Sequence, residues 1–87
     1  MNNMSRYKML KSMDTTISGK LLYLILSEIT DLDDSVVISQ HRISDATGLA
    51  RTTISKNLHR LCNSGYIGIT PRYNEDGGRA ANKYVIN

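Results

Sequence analysis

The chain has no tryptophan and no phenylalanine, and its 87 residues include one cysteine and one proline. Without Trp or Phe, a folded core is predicted to be aliphatic. A single cysteine excludes a disulfide framework and a multi-cysteine zinc site, and a free thiol fits a reducing, cytoplasmic setting. One proline and six glycines exclude collagen-like and low-complexity sequence. These absences leave one small folded domain as the expected class.

Long apolar runs are also missing. The longest, Leu21 to Leu26, is far shorter than the ~20 residues that span a bilayer. The basic N-terminal region is not followed by the apolar core of a signal peptide. We therefore expect a cytoplasmic protein that does not enter a membrane.

Charge is unevenly distributed along the chain. Residues 1–20 carry four basic and one acidic side chain, residues 21–50 one basic and five acidic, and residues 51–87 six basic and two acidic. The balances of +3, −4 and +4 add up to the net charge of +3. Basic charge at both ends of the chain favours a polyanionic partner more strongly than the small net charge does.

Apolar spacing predicts a first helix over residues 15–32, capped by Thr15 or Thr16. Its buried face is predicted at four-residue spacing and widened by neighbouring leucines: Ile17, Leu21, Ile25 and Ile29, with Leu22, Leu24, Leu26 and Leu32. The acidic residues that follow oppose the helix dipole, so the helix is expected to end near Leu32.

A short strand is predicted over Val36–Ile38, followed by two helices. Ser39 is expected to cap the first, which runs from Gln40 to about Ala46 and ends at Gly48. The second begins near Arg51 and stops at Gly65, with apolar residues at Ile54, Leu58 and Leu61. Period-two alternation then predicts two strands, Tyr66–Thr70 and Lys83–Ile86, joined around the turn-forming residues 74–78.

The segment Ile43–Leu58 places two short helices on either side of a glycine turn, with small Ser44 where the helices cross. It resembles the helix-turn-helix motif of DNA-binding proteins. The step Leu61-Cys62-Asn63-Ser64-Gly65-Tyr66-Ile67 is similar to the passage from recognition helix to wing in the winged variant. Residues 16–23 resemble the first helix of winged domains in plasmid and phage replication initiators and small regulators.

This resemblance implies an α+β winged helix-turn-helix, with a three-helix core, a short strand and a C-terminal β-hairpin wing. The domain is expected over residues 15–87, preceded by an N-terminal arm or short helix over residues 1–14. The recognition helix would be 51–64, in the major groove, and the wing 66–87, on the backbone or in the minor groove.

Projected at ~100° per residue, the recognition helix has one acid-free solvent face opposite its apolar residues. Arg, Thr and Ser are side chains that bond base edges in the major groove. We predict that this face reads bases through Arg51, Thr52, Ser55, Lys56 and His59.

The end of this helix and the wing supply the predicted phosphate contacts. Two glycines beside Arg79 favour a flexible tip, and arginine is favoured in a narrow minor groove. Glu75 and Asp76 oppose deep insertion, so the tip is expected to pass beside the backbone. The predicted phosphate and wing contacts are Arg60, Arg72, Tyr73, Asn74, Arg79, Asn82 and Lys83.

Position 50 departs from the family pattern, because Ala50 stands where Ser or Thr usually caps the recognition helix. Alanine is a poor cap, which leaves the first N–H groups of the helix free. One hypothesis is that a DNA phosphate accepts these hydrogen bonds in the complex; a frayed helix end is the alternative.

The N-terminal segment mixes basic and apolar residues, and Met4, Met9, Leu10 and Met13 are interpreted as packing groups. It could form a short helix on the domain, a dimer contact or a disordered arm. A homodimer through this segment and the first helix is expected, because two half-sites would supply affinity that one module lacks.

No catalytic or metal site and no cofactor are predicted. Neither His41 nor His59 has a metal-ligand pattern around it, and Cys62, at the edge of an apolar helix face, is interpreted as a packed thiol. The resulting prediction is a sequence-specific double-stranded DNA-binding protein, most simply a transcriptional regulator. The alternatives are an accessory DNA-binding protein in plasmid or phage replication, segregation or transfer, and a winged domain that binds proteins.

Overall fold

The computed structural model describes residues 3–87, and the side chains of residues 8–87. Four helices and three strands follow one another along the chain: α1 Asn3–Ser12, α2 Ile17–Ile29, β1 Ser35–Val37, α3 Gln40–Thr47, α4 Arg51–Asn63, β2 Ile67–Tyr73 and β3 Arg79–Ile86. The predicted α+β architecture with its C-terminal hairpin is confirmed, and α1 adds a fourth helix. No helix in residues 3–87 is long and apolar enough to cross a membrane.

Helix α2 begins where predicted and ends early. The Thr16 side chain caps it by accepting a hydrogen bond of 3.0 Å from the Gly19 N–H. At the other end Thr30 is extended (ψ 155°), and the Asp31 carboxylate accepts bonds from the N–H groups of Asp33 and Ser35. An aspartate that bonds the backbone after it competes with further helix. The prediction that α2 reaches Leu32 is therefore wrong.

The buried face of α2 also differs from the prediction. Leu22, Tyr23 and Leu26 are buried, whereas Ile17 is 86% exposed and Leu21 39% exposed. Apolar residues surround this helix almost completely, so their spacing does not select one face. Gly19 and Ser27 are also buried, and Ser27 lies beside a cavity that Met9, Tyr23 and Ile86 line. An added Cβ at Gly19 would collide with the side chains of Thr15 and Thr16, so this position on the buried side of the helix requires glycine.

The helix-turn-helix forms as predicted. The Ser39 side chain caps α3 by accepting a bond from the Arg42 N–H, and Gly48 closes the helix at φ +75°. The Ser44 hydroxyl donates to the Leu49 carbonyl across the turn at 2.8 Å. This bond joins the end of α3 to the residue just before α4, which fixes the approach of the two helices.

The three strands form one antiparallel sheet in the order β1-β3-β2. Ser35 pairs with Val85 on one side of β3, and Gly68 pairs with Val85 on the other. Both strands of the hairpin are longer than predicted, since β2 extends to Tyr73 and β3 already starts at Arg79. The pairing register of β2 with β3 shifts between Thr70 and Arg72, where a bulge gives β3 one extra residue. Pro71 has no N–H to donate at this point, which accounts for the interruption.

The core lies between the helices and the inner face of the sheet. Its buried apolar residues are Met13, Leu22, Tyr23, Leu26, Ile43, Ile54, Leu58, Leu61, Ile67 and Tyr84. The prediction of an aliphatic core is thus incomplete, since two tyrosines are nearly fully buried. Met9 and Leu10 of α1 pack against this core, as does the thiol-bearing Cys62. The predicted packing of Met4 falls outside the described side chains.

Candidate nucleic-acid interface

Helix α4 presents the solvent face that the sequence predicts. Arg51, Thr52, Lys56 and His59 are exposed and Ser55 is half-buried, while Ile54, Leu58 and Leu61 are fully buried on the other side. No acidic residue occurs in Arg51–Asn63. The exposed face therefore combines positive charge with hydroxyl and imidazole groups, which can bond both phosphates and base edges.

The first turn of α4 has no side-chain cap. Ala50 takes the extended conformation of a capping residue, and its carbonyl accepts from the Ile54 N–H at 3.0 Å. No side chain accepts a bond at the cap position. Unpaired N–H groups together with the positive end of the helix dipole favour an anion at this point.

An open groove joins the two helices of the motif to the wing. Residues from the start of α3, the start of α4 and the strand β3 line it: Ser39, Gln40, Arg51, Arg79, Ala80, Ala81, Asn82 and Tyr84. Arg51 and Arg79 supply its charge, and no carboxylate lines it. The groove is consequently suited to an anionic backbone that passes between α4 and the wing.

Three of the predicted wing residues form one cluster. The Arg79 guanidinium lies 5.6 Å from the centre of the Tyr73 ring, and its Nη2 donates to Asn82 Oδ1 at 2.9 Å. Tyr73 and Arg79 pair across the hairpin, and the bulge brings Asn82 alongside. Both contacts orient the guanidinium without neutralising its charge, so it remains available to a phosphate.

The tip of the wing is closed by its own hydrogen bonds. The Asn74 N–H donates to the Gly78 carbonyl at 2.7 Å, and the Gly77 N–H donates to the Asn74 carbonyl at 2.9 Å. Asp76 accepts from the Gly78 N–H. Arg72, on the strand before the tip, is exposed and reaches the Ala81 carbonyl at 3.4 Å. The tip is thus a defined turn, with Arg72 and Arg79 below it.

Of the predicted phosphate and wing residues, Arg79 and Asn82 line the groove and the others do not. Arg60 lines a separate cleft near the C-terminal end of α4, with the start of α2 on its other side. Lys83 alternates with Asn82 and Tyr84 along β3, which places it on the opposite face of the sheet. Arg60 extends the α4 surface, whereas Lys83 is exposed on the outer side of the wing.

The acidic turn after α2 is organised by one carboxylate. Hydrogen bonds from the backbone N–H groups of Asp33 and Ser35 lower the pKa of Asp31 from its ordinary value of 3.8, with a smaller contribution from the charge of Lys83. This turn contributes no residue to the lining of the groove.

Two pairs were missed by sequence reasoning. Thr16 donates from its hydroxyl to Oδ1 of the buried Asn57, whose Nδ2 donates to the Thr53 carbonyl. A polar residue at an inward-facing helical position was the available signal. The second pair is at the surface, where His41 Nε2 lies 3.4 Å from Asp45 Oδ2. Among the described residues, no group of three or more His, Cys, Asp or Glu side chains could hold a metal ion.

Ser39 and Gln40 were also missed as groove residues. Ser39 was predicted only as a helix cap, and Gln40 only as the first residue of α3. Their place beside Arg79 depends on how the wing folds back against the motif, and no local pattern reports that.

A comparison with protein families agrees with this arrangement. The family of winged helix-turn-helix DNA-binding domains matches residues 20–67, more than half of the chain. The chain belongs to this family. The match covers most of α2, then β1, both helices of the motif and the first residue of the wing, so the α4 surface belongs to a DNA-binding domain. No curated protein and no solved structure matches the chain.

Proposed function

We propose that this protein is a sequence-specific binder of double-stranded DNA that regulates transcription and catalyses no reaction. The observation that carries the proposal is the continuity of two surfaces. The acid-free face of α4 runs into the groove between Arg51 and Arg79. One duplex can therefore meet a helix in its major groove and the wing on its adjacent backbone.

Base reading is assigned to the exposed side chains of α4. An arginine can bond guanine O6 and N7 together, and each such pair contributes about 1–3 kcal/mol of discrimination. The proposed base-reading residues are Arg51, Thr52, Ser55, Lys56 and His59.

Phosphate binding is assigned first to Arg79, which lines the groove, and to the uncapped start of α4. Arg72 alternates with Tyr73 along β2, so it would contact the DNA backbone from the other face of the hairpin. Arg79 is held by Tyr73 and Asn82 in a fixed orientation. Asn74 fixes the turn that separates the two hairpin strands. Arg60 would extend phosphate contact beyond the end of the recognition helix, and Lys83 would contribute a longer-range attraction.

We further propose that the protein acts as a homodimer in the cytoplasm. A single module of this size makes a small interface with DNA, so two modules on two half-sites would raise affinity and specificity together. The domain that folds around this function would comprise residues 15–87, with residues 1–14 as an accessory segment that adds Met13 to the core.

Selection of bound duplexes from a random pool tests the proposal directly. The expected result is an enriched motif whose affinity falls steeply as salt rises, because phosphate contacts release counterions. An unenriched pool with salt-sensitive binding would instead indicate a non-specific role in replication, segregation or transfer. No binding to mixed duplex DNA at low salt would refute DNA binding and favour a protein-interaction module.

A further inference from the structure

Helix α2 carries an unpartnered apolar surface. Six large apolar side chains are exposed among the described residues, and four of them, Ile17, Leu21, Ile29 and Leu32, lie on α2 or in the turn directly after it. Leu24 and Ile25 are half-buried between them. These six residues, 17, 21, 24, 25, 29 and 32, are named the α2 stripe. Such a concentration on one element indicates an interaction surface rather than scattered surface hydrophobics.

Three residues of the stripe face away from the buried side of α2, whereas Ile29 follows Leu22 at seven-residue spacing and lies beside it. At ~100° per residue, Ile17, Leu21 and Leu24 lie on the side of α2 opposite Leu22 and Leu26. Leu22 and Leu26 are fully buried in the core, and α4 is the element that packs most closely on α2. A partner seated on the side of Ile17, Leu21 and Leu24 would therefore leave α4 and the groove free.

Two charged side chains beside the stripe, Lys20 and Glu28, are unfavourably placed with respect to the dipole of α2. Lys20 lies in the first turn of α2 and Glu28 in its last turn. Positive charge at a helix N-terminus and negative charge at a C-terminus both act against the helix dipole. Neither side chain forms an ion pair with another described residue. Within the single chain these two charges are unfavourably placed.

A second copy of α2, packed antiparallel, would place Lys20 and Glu28 favourably. Lys20, Leu24 and Glu28 follow one another at four-residue spacing along one row of α2. If two copies of α2 pack antiparallel about a two-fold axis at Leu24, Lys20 of each copy lies beside Glu28 of the other. Each lysine then also lies near the negative end of the neighbouring helix dipole.

We propose that the α2 stripe is the homodimer interface, formed by two antiparallel α2 helices with reciprocal Lys20–Glu28 pairs. An isologous contact requires one patch to be complementary to itself, and this row is self-complementary in charge and apolar in its centre. The role of this dimer, which is to present two α4 helices to two half-sites, rests on the proposed function, whereas its geometry does not.

Sedimentation of the full chain without DNA tests the interface. The wild-type protein is expected to be a dimer at micromolar concentration. Leu21→Glu should weaken dimerisation about tenfold or more, because it places a charge within the apolar contact, one turn from its centre at Leu24. Val37→Glu introduces the same charge at another exposed apolar side chain, on β1, and should leave dimerisation unchanged. A wild-type monomer, or equal effects of the two variants, overturns the proposal.

Charge exchange separates interface effects from folding. Lys20→Glu and Glu28→Lys each improve the fit to the helix dipole, so neither should unfold α2. Each alone should weaken the dimer, since like charges then face one another, and the double variant K20E/E28K should restore it. Failure of the double variant to restore dimerisation overturns the antiparallel arrangement.

Titration with a duplex that carries a single half-site tests the α2 interface separately from the proposed DNA binding. The Leu21→Glu variant, at a concentration at which it is monomeric, should still bind this duplex like the wild-type protein. A retained circular dichroism spectrum would show that it is folded. Loss of half-site binding by this folded variant would contradict a face separate from the DNA surface. A dimer that binds no DNA would refute the proposed function and leave the interface standing.

Discussion

Thr16 and Asn57 form a hydrogen bond that joins the start of α2 to the middle of the recognition helix. The Thr16 hydroxyl donates to Asn57 Oδ1 while its oxygen accepts from the Gly19 N–H, so one side chain both caps α2 and holds α4. Asn57 also donates to the Thr53 carbonyl at 2.8 Å. Because Asn57 is 5% exposed, water cannot replace these partners easily.

We expect Asn57→Ala to destabilise the protein by about 1–3 kcal/mol, because it leaves polar partners unsatisfied in a buried place. Urea unfolding measures the change. Asn63→Ala, at an exposed position in the same helix, is the matched control and should change stability by no more than about 0.5 kcal/mol.

The pair can be isolated by combining Asn57→Ala with Thr16→Ala in a double-mutant cycle. Residues in direct contact show coupling of at least ~0.5 kcal/mol. Additive effects within ~0.3 kcal/mol would mean that Thr16 contributes only as a helix cap.

Local chemistry made the helix-turn-helix predictable. Ser39 as a cap and Gly48 as a left-handed terminus each depend on a few neighbouring residues, and both take the predicted conformation. The face of α2 could not be predicted in the same way. Ile17 and Leu21 have the spacing of a buried row, but the neighbouring leucines give the opposite side an equal apolar content, and packing against α4 decides between them.

The candidate site was predictable as a set of residues but not as a shape. Helical periodicity alone places Arg51 and Lys56 in solvent, and both are exposed. The groove depends on long-range contacts instead. Its wall contains Gln40 and Asn82, residues 42 positions apart in the chain that only the folded wing brings together.

Gly48→Ala tests the turn between the two helices of the motif. Gly48 has φ +75° and no atom within 4 Å of an added Cβ, so the cost is conformational and not steric. A left-handed conformation costs an alanine roughly 1–2 kcal/mol. We expect a loss of that size in urea unfolding.

Gly68→Ala is the control for this change. Gly68 lies in β2 without a positive φ, and its added Cβ would meet only Val85 Cβ at 3.9 Å. This variant should be neutral or slightly stabilising, because glycine is unfavourable within a strand. Equal losses at the two positions would contradict the conformational argument.

Asp31→Asn tests the turn that leads into β1. Hydrogen bonds from the Asp33 and Ser35 N–H groups lower the pKa of Asp31 below 3.8 in the folded protein. A group with a depressed folded pKa contributes stability that is present above its unfolded pKa and is lost as the pH falls through its folded pKa. Asp31→Asn should therefore flatten the stability curve below about pH 4.

Chemical unfolding measured across the acid range checks the sign. Asp33→Asn removes a carboxylate from the same exposed turn without removing an acceptor of these backbone bonds, and it is the matched control. A wild-type acid slope retained in Asp31→Asn would show that another group carries this dependence.

Arg51→Ala and Arg79→Ala should affect DNA binding differently. Loss of a base contact by Arg51 should cost about 1–3 kcal/mol on the selected site and relax preference at one base position. Loss of a phosphate contact by Arg79 should weaken all sequences evenly and reduce the salt slope by about 1. Competition binding on matched and mismatched duplexes, repeated at several salt concentrations, measures both.

Lys83→Ala provides the control for charge alone. It removes one positive charge from the other face of the sheet, so its effect on the salt slope should be smaller than that of Arg79→Ala. Equal slopes would place the DNA backbone outside the groove between α4 and the wing.

Ala50→Ser tests whether DNA satisfies the uncapped start of α4. In the free protein the serine hydroxyl should accept an N–H bond of the first turn and stabilise folding by about 0.5–2 kcal/mol. If a DNA phosphate accepts the same N–H groups, the serine competes with it and binding should weaken. Ala46→Ser, at an exposed position in α3, controls for the hydroxyl itself. A stabilised protein with unchanged DNA affinity would show that no phosphate binds there, because the competition that the serine introduces would then have no effect.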